Sequence, residues 1–155
     1  MKTPDLFSQT EIAEVQLIYR SKVPASQRVK ISCSRDAYDL LLKSWDSDTL
    51  EYVEEFKMLL MNRSNAVLGI LSVSRGGISG TVTDVRLVFQ AAIKANASGI
   101  IVCHNHPSGN LNPSESDTKI TNKIKEAGNL MDIQLLDHLI ITGEDYYSFA
   151  DNGLL

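Results

Sequence analysis

The chain is poor in cysteine and has no long apolar run, and each shortage excludes a class of protein. Only two of its 155 residues are cysteines, and they form no C-x-x-C pair. This argues against a disulfide framework and fits a reducing cytoplasm. No apolar run approaches the roughly 20 residues of a membrane helix, and the segment Met1–Asp5 lacks the apolar core of a signal peptide. We therefore expect a cytoplasmic protein without a membrane segment.

Positive charge is also in short supply. Fifteen Lys and Arg residues stand against nineteen Asp and Glu residues, which gives a net charge of −4. Nucleic-acid binders commonly carry a basic face that displaces counterions from phosphates, whereas the basic residues here are scattered along the chain. A nucleic-acid partner is therefore not supported by charge.

The composition is otherwise that of a globular protein, with 43% apolar and 22% charged residues. Hydrophobic periodicity predicts alternating strands and helices, which indicates an α/β fold with a mixed sheet flanked by helices. We expect one domain over residues 1–155, with 1–10 as a loose tail. The predicted elements are a strand over 11–23, a helix capped by Ser34 with the stripe Tyr38, Leu41, Leu42 and Trp45, strands Glu54–Met61 and Ala66–Ser74, a helix capped by Thr83 with the stripe Val85, Val88, Phe89, Ala92 and Ile93, a strand Gly99–Cys103, a helix from Ser114 to about Asn129, and a strand Gln134–Thr142.

The most informative stretch is the run from Cys103 to Gly109, which contains two histidines two residues apart at the end of an apolar run. Alternate residues of a strand share a face, so His104 and His106 can aim their imidazoles at one point. Asp117 follows eleven residues later, in the first turn of the next helix. Two imidazoles, one carboxylate and a vacant position are typical of a catalytic rather than a structural zinc site.

A structural role for the same aspartate is an alternative. Ser114 is a good N-cap, and the spacing Ser114-Glu115-Ser116-Asp117 fits a variant capping box in which Asp117 reaches back to the start of the helix. A carboxylate has two oxygens with several lone pairs, so the two roles can coexist.

Hydrolysis at such a metal profits from a carboxylate that takes a proton from water and later passes it to the leaving group. Three candidates, Glu51, Glu54 and Glu55, precede the apolar run 56–60. Strand alternation places Glu54 on the face of the apolar side chains and Glu55 on the opposite face, which favours Glu54 as the buried, functional carboxylate. The alternative is that all three are solvated charges at a strand edge.

A glutamate followed by His-x-His, ten residues and an aspartate resembles the motif of the JAMM metalloproteases, also called JAB or MPN. The surrounding sequence resembles the RadC family in particular, over residues 50–153. The segments that carry the resemblance are Glu54-Glu55-Phe56, Gly80-Thr81, His104-Asn105-His106-Pro107-Ser108-Gly109, Pro113-Ser114-Glu115-Ser116-Asp117 and Asp137-His138-Leu139-Ile140-Ile141.

The resemblance implies a JAB/MPN (cytidine-deaminase-like) layered architecture. It also implies that His104, His106 and Asp117 hold one Zn²⁺ with a bound water. Glu54 would be the general acid/base, and Ser114 would help to stabilise the oxyanion of the tetrahedral intermediate. The helix-capping role competes for the same Ser114 hydroxyl.

Asp137 and His138 match a RadC-type pair. Either they support a metal ligand through a hydrogen bond, or they form a buried hydrogen-bonded pair in a central strand. RadC proteins often also carry a helix-hairpin-helix-like segment. Residues 1–50 are instead predicted to complete the catalytic domain, so DNA binding through that segment is not carried over.

The function that we expect is therefore zinc-dependent hydrolysis of a peptide or isopeptide bond in a protein or peptide substrate. The alternative is a RadC-like, DNA repair-associated protein that binds or acts on nucleic acid. A catalytically silent scaffold is less favoured because all four motif positions are intact. A zinc nucleobase deaminase is excluded because the chain has neither H-x-E nor P-C-x-x-C. The sequence specifies neither the substrate nor the oligomeric state.

Overall fold

The computed structural model describes residues 13–76 and 82–155, which form a mixed sheet with helices on both faces. The elements are α1 (Ser34–Lys43), α2 (Ser47–Leu50), β1 (Glu55–Met61), β2 (Val67–Arg75), α3 (Val85–Lys94), β3 (Gly99–Asn105), α4 (Glu115–Leu130), β4 (Gln134–Ile141) and β5 (Tyr146–Ser148). The strand order is β2-β1-β3-β4-β5, and every neighbouring pair is antiparallel except β3 and β4. The predicted α/β class with a mixed sheet is confirmed.

The two central strands are buried along their whole length. All seven residues of β1 and all seven of β3 are buried, because helices cover both faces of the sheet. Such strands read as near-continuous apolar runs rather than as alternating patterns. Fully burying one Leu, Ile or Phe side chain contributes about 1.5–3 kcal/mol of transfer free energy, so these strands are a main source of stability.

The two faces of the sheet carry separate apolar clusters. On one face, which we call the cavity face, Val88 and Phe89 of α3 and Ile124 of α4 pack against alternate residues of β1 and β3. On the other, which we call the packing face, Tyr38 and Leu41 of α1 cover the intervening residues. The predicted apolar stripes of these helices are therefore confirmed at the positions that contact the sheet.

Helix α4 makes the crossover that a parallel pair of strands requires. It leaves the end of β3 and returns the chain to the start of β4. A Cβ atom at Gly128 would lie 2.2 Å from the carbonyl oxygen of Ile133, so only glycine allows the helix to approach the following turn this closely. At its other end, the first turn of α4 lies beside the end of β3, where Asp117 contacts His104.

The prediction of a strand over 11–23 is wrong for its described part, because residues 13–23 form no helix or strand. A single turn of 3-10 helix follows at Ala25–Gln27. Tyr19 nevertheless contacts the sheet, since its hydroxyl donates to the carbonyl oxygen of Leu68 at 2.8 Å. Residues 1–10, predicted as a loose tail, lie outside the described residues, as do Gly80-Thr81.

Three smaller corrections concern the ends of elements. Asp84, not Thr83, caps α3, because its carboxylate accepts from the backbone N–H of Arg86, and Ile93 at the end of its predicted stripe is 57% exposed. Ser34 is the first residue of α1, and Cys33 holds the cap position. The short strand β5 was not predicted. Within the described residues, none of the helices has the length and apolar character needed to cross a bilayer.

Candidate metal centre

The two histidines lie at the end of β3 on the cavity face. His104 is 1% exposed and lies opposite Phe56 of β1. His106 follows the strand, and its backbone N–H donates to the carbonyl oxygen of Ile141 at 3.1 Å, so the pairing with β4 continues to this point. The Nε2 atoms of the two imidazoles are 3.0 Å apart. The structure therefore brings both rings to one point, as the spacing predicts.

Asp117 reaches the same point from the first turn of α4. Its Oδ1 lies 3.1 Å from His104 Nε2, and its Oδ2 lies 3.5 Å from His106 Nε2. The capping box is formed as well, because Asp117 Oδ2 accepts from the Ser114 N–H at 2.7 Å while Ser114 Oγ accepts from the Asp117 N–H at 3.1 Å. The cap thus fixes the carboxylate beside the histidines, and capping the helix does not prevent the same carboxylate from binding a metal.

The pKa values of His106 and Asp117 reflect their contact. The hydrogen bond to Asp117 raises the pKa of His106 against the opposing effect of burial, with smaller contributions from Asn110 and from the Glu54 charge. Burial alone would raise the pKa of Asp117, but the hydrogen bonds from His104 and His106 outweigh it and hold that pKa well below its ordinary range. The site therefore contains an ionised carboxylate beside an imidazole that readily holds a proton.

These residues fit a divalent cation such as zinc. Ligand atoms about 2.0–2.1 Å from a tetrahedral ion lie roughly 3.3–3.4 Å from one another. The two Nε2 atoms are 3.0 Å apart, and the two oxygens of Asp117 lie 3.1 Å (Oδ1) from His104 Nε2 and 3.5 Å (Oδ2) from His106 Nε2. One nitrogen or oxygen atom from each of His104, His106 and Asp117 lies within 4.8 Å of the others. Two imidazoles and a carboxylate leave one of four tetrahedral positions for water or substrate.

The other nitrogen of each ring is also held. His106 Nδ1 contacts the carbonyl oxygen of Asn110, and His104 Nδ1 lies 2.8 Å from His138 Nε2. His138 Nδ1 in turn contacts Thr121 Oγ1, whose hydroxyl donates to the carbonyl oxygen of Asp117 at 2.6 Å. Burial, with the His104 charge, lowers the pKa of His138 well below its ordinary value, which keeps this ring neutral.

The sequence left two roles open for Asp137 and His138: support of a metal ligand or a buried hydrogen-bonded pair. Only His138 contacts a candidate ligand, His104. The Asp137 side chain accepts from Ser148 Oγ at 2.6 Å and from the Ala150 N–H at 3.0 Å, so it ties β4 to the end of the chain. Thr121 was not identified from the sequence. Its position could have indicated a role, because Thr121 is a polar residue four positions after Asp117 on the buried stripe of α4.

Glu54 lies immediately before β1 and lines the same cavity. This cavity of about 680 Å³ is also lined by His104, His106, Ser114 and Asp117. Glu54 is half-buried, so the residue borders both this cavity and solvent. The structure thus brings together all five residues that the sequence singled out for chemistry.

The two other glutamates lie elsewhere. Glu51 is exposed, and Glu55 lies on the packing face, 8% exposed, where it accepts from the Thr49 hydroxyl at 2.8 Å. Lys57 Nζ and Arg75 Nε approach its carboxylate to 3.9 and 4.0 Å. The expectation that Glu54 is the more buried of the pair is therefore wrong, because polar partners bury Glu55 instead. What distinguishes Glu54 is the cavity that it faces.

Asn105 is a residue of the histidine run whose role the sequence did not show. It is 0% exposed, and its amide oxygen accepts from the Glu55 N–H at 2.7 Å. Its amide nitrogen donates to the carbonyl oxygens of Leu50 and Val53 at 2.7 and 2.9 Å. One buried amide therefore ties the segment that carries Glu54 to the strand that carries the histidines.

Comparison with known proteins agrees with this geometry. Residues 31–154 match the family described as "RadC-like JAB domain". The chain is 50% identical over 125 residues to a UPF0758 protein of Flavobacterium johnsoniae, covering 81% of this chain and 53% of that one. It is 37% identical over 144 residues to a UPF0758 protein of Clostridium beijerinckii, covering 93% and 62%. The chain thus spans between half and two thirds of the length of these relatives. By the match over residues 31–154, it belongs to the RadC family and contains a RadC-like JAB domain.

Proposed function

We propose that this chain is a zinc-dependent hydrolase of the JAMM type that cleaves a peptide or isopeptide bond. Membership of a JAB-domain family and a His-His-Asp group that could hold a metal support a metal-dependent hydrolase. The observation that carries the finer proposal is the convergence of that group with Glu54 and Ser114 on one open cavity. Such a cavity has room for a substrate chain beside the metal-binding atoms.

His104, His106 and Asp117 would hold the ion. When bound, zinc acts as a Lewis acid, which lowers the pKa of water to about 7 and polarises a carbonyl group. The donor set favours zinc, since imidazole suits zinc, copper and iron, and one carboxylate completes a frequent three-ligand catalytic site.

Glu54 would be the group that moves the proton. Its carboxylate lines the cavity and is half-buried, so it can accept a proton from an attacking water and donate it to the departing amine. General acid–base catalysis of this kind contributes about 10²–10⁴-fold to a rate.

Ser114 can serve both of the roles that compete for it. In the cap its Oγ is an acceptor, with the Asp117 N–H as donor at 3.1 Å. A hydroxyl has one O–H donor in addition to its lone pairs, and Ser114 lines the cavity. We therefore propose that the cap uses a lone pair of Oγ while the O–H donates to the oxyanion of the substrate.

The cytoplasm is the compartment that we propose. Cys33 is exposed and Cys103 is buried, and both are free thiols. Free cysteines of this kind fit a reducing environment.

The test combines elemental analysis with hydrolysis. We expect the purified full chain to hold one zinc ion, to cleave members of a pool of internally quenched peptides and lysine-linked isopeptides, and to lose cleavage on chelation. Added zinc should restore it. His106→Ala should lose the metal, because only His104 and Asp117 remain as ligands. A wild-type chain that takes up no zinc at micromolar concentrations would contradict the proposal.

A further inference from the structure

The cavity that contains the candidate metal centre continues along helix α4. Five residues of this helix line it at spacings of three and four, which places them on one side of the helix: Ser116, Asp117, Lys119, Ile120 and Lys123. A helix rises about 1.5 Å per residue, so the cavity follows α4 for about 9 Å from Asp117 to Lys123. The space for a substrate therefore extends well beyond the proposed ligands.

Charge in the lining of this cavity is unevenly distributed. The acidic side chains, Glu54 and Asp117, lie at the candidate metal centre, whereas the basic ones, Lys119 and Lys123, lie farther along α4. A substrate chain that carries an acidic residue over α4 and no acidic residue at the metal centre therefore meets complementary charge along its length. The loop after His106 contributes neutral side chains to the lining, which are Pro107, Ser108, Asn110 and Asn112.

The two lysines differ in whether a carboxylate already compensates their charge. Lys119 Nζ lies 2.7 Å from Glu115 Oε1, one helical turn earlier. In the part of the chain that the structure describes, no carboxylate lies within 4.0 Å of Lys123 Nζ. Asp84, which caps α3, forms its ion pair with Arg86 at 2.7 Å. Lys123 is therefore the basic residue of the lining whose charge is available to a ligand.

One available cation beside apolar side chains suits a peptide better than a nucleic acid. Half-buried Ile120 lies between Asp117 and Lys123 on the same side of α4, and Val82 also lines the cavity. Nucleic-acid binding calls for several cations along a backbone and for aromatic faces on which bases stack. Phe56, the aromatic side chain of the described lining besides the histidines, is only 2% exposed. The lining favours a chain with both apolar and acidic side chains.

The distance along α4 indicates where the acidic residue of such a peptide would lie. An extended peptide advances about 3.3 Å per residue, so roughly three residues cover the 9 Å or so between Asp117 and Lys123. We propose that Lys123 is a specificity-determining residue that binds an acidic side chain of the peptide substrate, about three residues from the bond that is cut. The inference rests on the proposed function, because it places the substrate in the same cavity.

The test measures how three peptides bind to the purified full chain. Each is a decapeptide of alanine and serine with blocked termini, and the three differ only in one central residue, which is Glu, Gln or Lys. Titrations at low ionic strength, where exposed charges are least screened, follow the amide ¹⁵N NMR signals of Ile120 and Lys123. We expect the Glu peptide to bind about 2–5-fold more tightly than the Gln peptide, as one exposed ion pair allows, and the Lys peptide to bind most weakly.

Two charge reversals on α4 separate a local ion pair from the effect of net charge. Lys123→Glu should reverse the order, so that the Lys peptide binds best. Lys125→Glu is the matched control, because it makes the same change of charge two residues away, at a position that does not line the cavity. The control should keep the wild-type order of the three peptides. Lys123→Ala should abolish the difference between the Glu and Gln peptides.

Cleavage provides a second readout, and mass spectrometry of each mixture shows whether the peptide stays intact. For a substrate with Glu at the proposed distance, Lys123→Ala should raise KM rather than lower kcat, because the lysine is too far from the scissile bond to act on it.

The proposal is overturned if the wild-type chain binds the Glu and Gln peptides equally, or if Lys125→Glu reverses the order as Lys123→Glu does. It is also overturned if a single-stranded oligonucleotide displaces the Glu peptide and loses its own affinity in Lys123→Ala, since the cavity would then take nucleic acid. A chain that binds the peptides in the expected order but takes up no zinc and cuts no peptide would refute the proposed function, while the assignment of Lys123 would stand. Cleavage without a preference for charge would refute the assignment alone.

Discussion

Glu54 and Glu55 are neighbours in the chain but lie in two different environments on opposite faces of the sheet. Glu55 is buried on the packing face, beside Thr49, Lys57 and Arg75. Glu54 is half-buried and lines the same cavity as the proposed metal-binding residues. The difference teaches that burial among polar partners ties Glu55 into the fold, whereas the proposed proton transfer needs a carboxylate that borders a space for substrate.

The largest expected effect is that substitution of Glu54 lowers turnover, whereas substitution of Glu55 lowers stability. Glu54→Gln should keep the zinc and lower the turnover of a cleaved peptide by about 10²–10⁴-fold, because the amide cannot accept the proton. Glu55→Gln should retain activity and lower the free energy of unfolding by about 1–3 kcal/mol, because it weakens a buried hydrogen-bonded ion cluster. Steady-state kinetics and urea denaturation of the two variants measure both quantities. Loss of turnover in Glu55→Gln with Glu54→Gln active would reverse the assignment.

Asn105 ties the segment that carries Glu54 and Glu55 to β3, so its replacement should affect both stability and turnover. Asn105→Ala removes the partner of one N–H and two carbonyl groups in the segment before β1. We expect a loss of at least about 2 kcal/mol in the free energy of unfolding. Turnover should fall as well, by as much as about 10²-fold, because Glu54 is no longer held in place.

The zinc affinity of Asn105→Ala shows whether the loss of turnover comes from Glu54 or from the proposed metal ligands. The affinity should stay near the wild-type value, since the Asn105 amide contacts none of the three proposed ligand side chains. Asn105→Asp, which keeps the acceptor for the Glu55 N–H but places a carboxylate against two carbonyl groups, provides a comparison of similar size. A variant that loses zinc and turnover in parallel would show that Asn105 supports the histidines rather than Glu54.

The smallest expected effect lies wholly on the packing face. The indole N–H of Trp45 is buried and has no hydrogen-bond partner within residues 13–76 and 82–155. Trp45→Phe should therefore cost about 1 kcal/mol or less, because removal of an unsatisfied donor offsets part of the lost packing. Tyr38→Phe is the control, since its hydroxyl does donate, to the carbonyl oxygen of Thr142 at 3.1 Å. Thermal denaturation compares the two, and an unfolding penalty for Trp45→Phe far above that of Tyr38→Phe would show that the indole N–H does have a partner.

The sequence predicted the elements whose burial follows a local pattern. The buried run of β3, the hairpin between β1 and β2, and the capped start of α4 are all specified by neighbouring residues. Alternation over 13–23 was misleading because a strand also needs a partner to pair with, and among the residues that the structure describes no strand pairs with this segment. The strand β5 forms because it pairs with β4. Three residues are too few to show an alternating pattern in the sequence, so β5 could not be predicted.

The residues of the candidate site also differ in how far the sequence predicts them. The convergence of His104, His106 and Asp117 could be predicted because their spacing along a strand and in the first turn of a helix is a local property. Asn105 and Thr121 were missed because their roles depend on which backbone groups the fold brings to them, across 50 residues in one case and through His138 in the other. Such roles depend on tertiary contacts that no local pattern encodes.

The parallel pair of β3 and β4, joined by α4, has a consequence for how the two proposed tasks of the site are divided along the chain. This single crossover unit, from Gly99 to Ile141, contains the three proposed ligands together with Thr121 and His138. Glu54 comes from outside the unit, from the residue before β1, which pairs with β3. The proposed binding of a metal and the proposed transfer of a proton therefore belong to separate segments, so that a substitution in one segment can remove its task and leave the other in place.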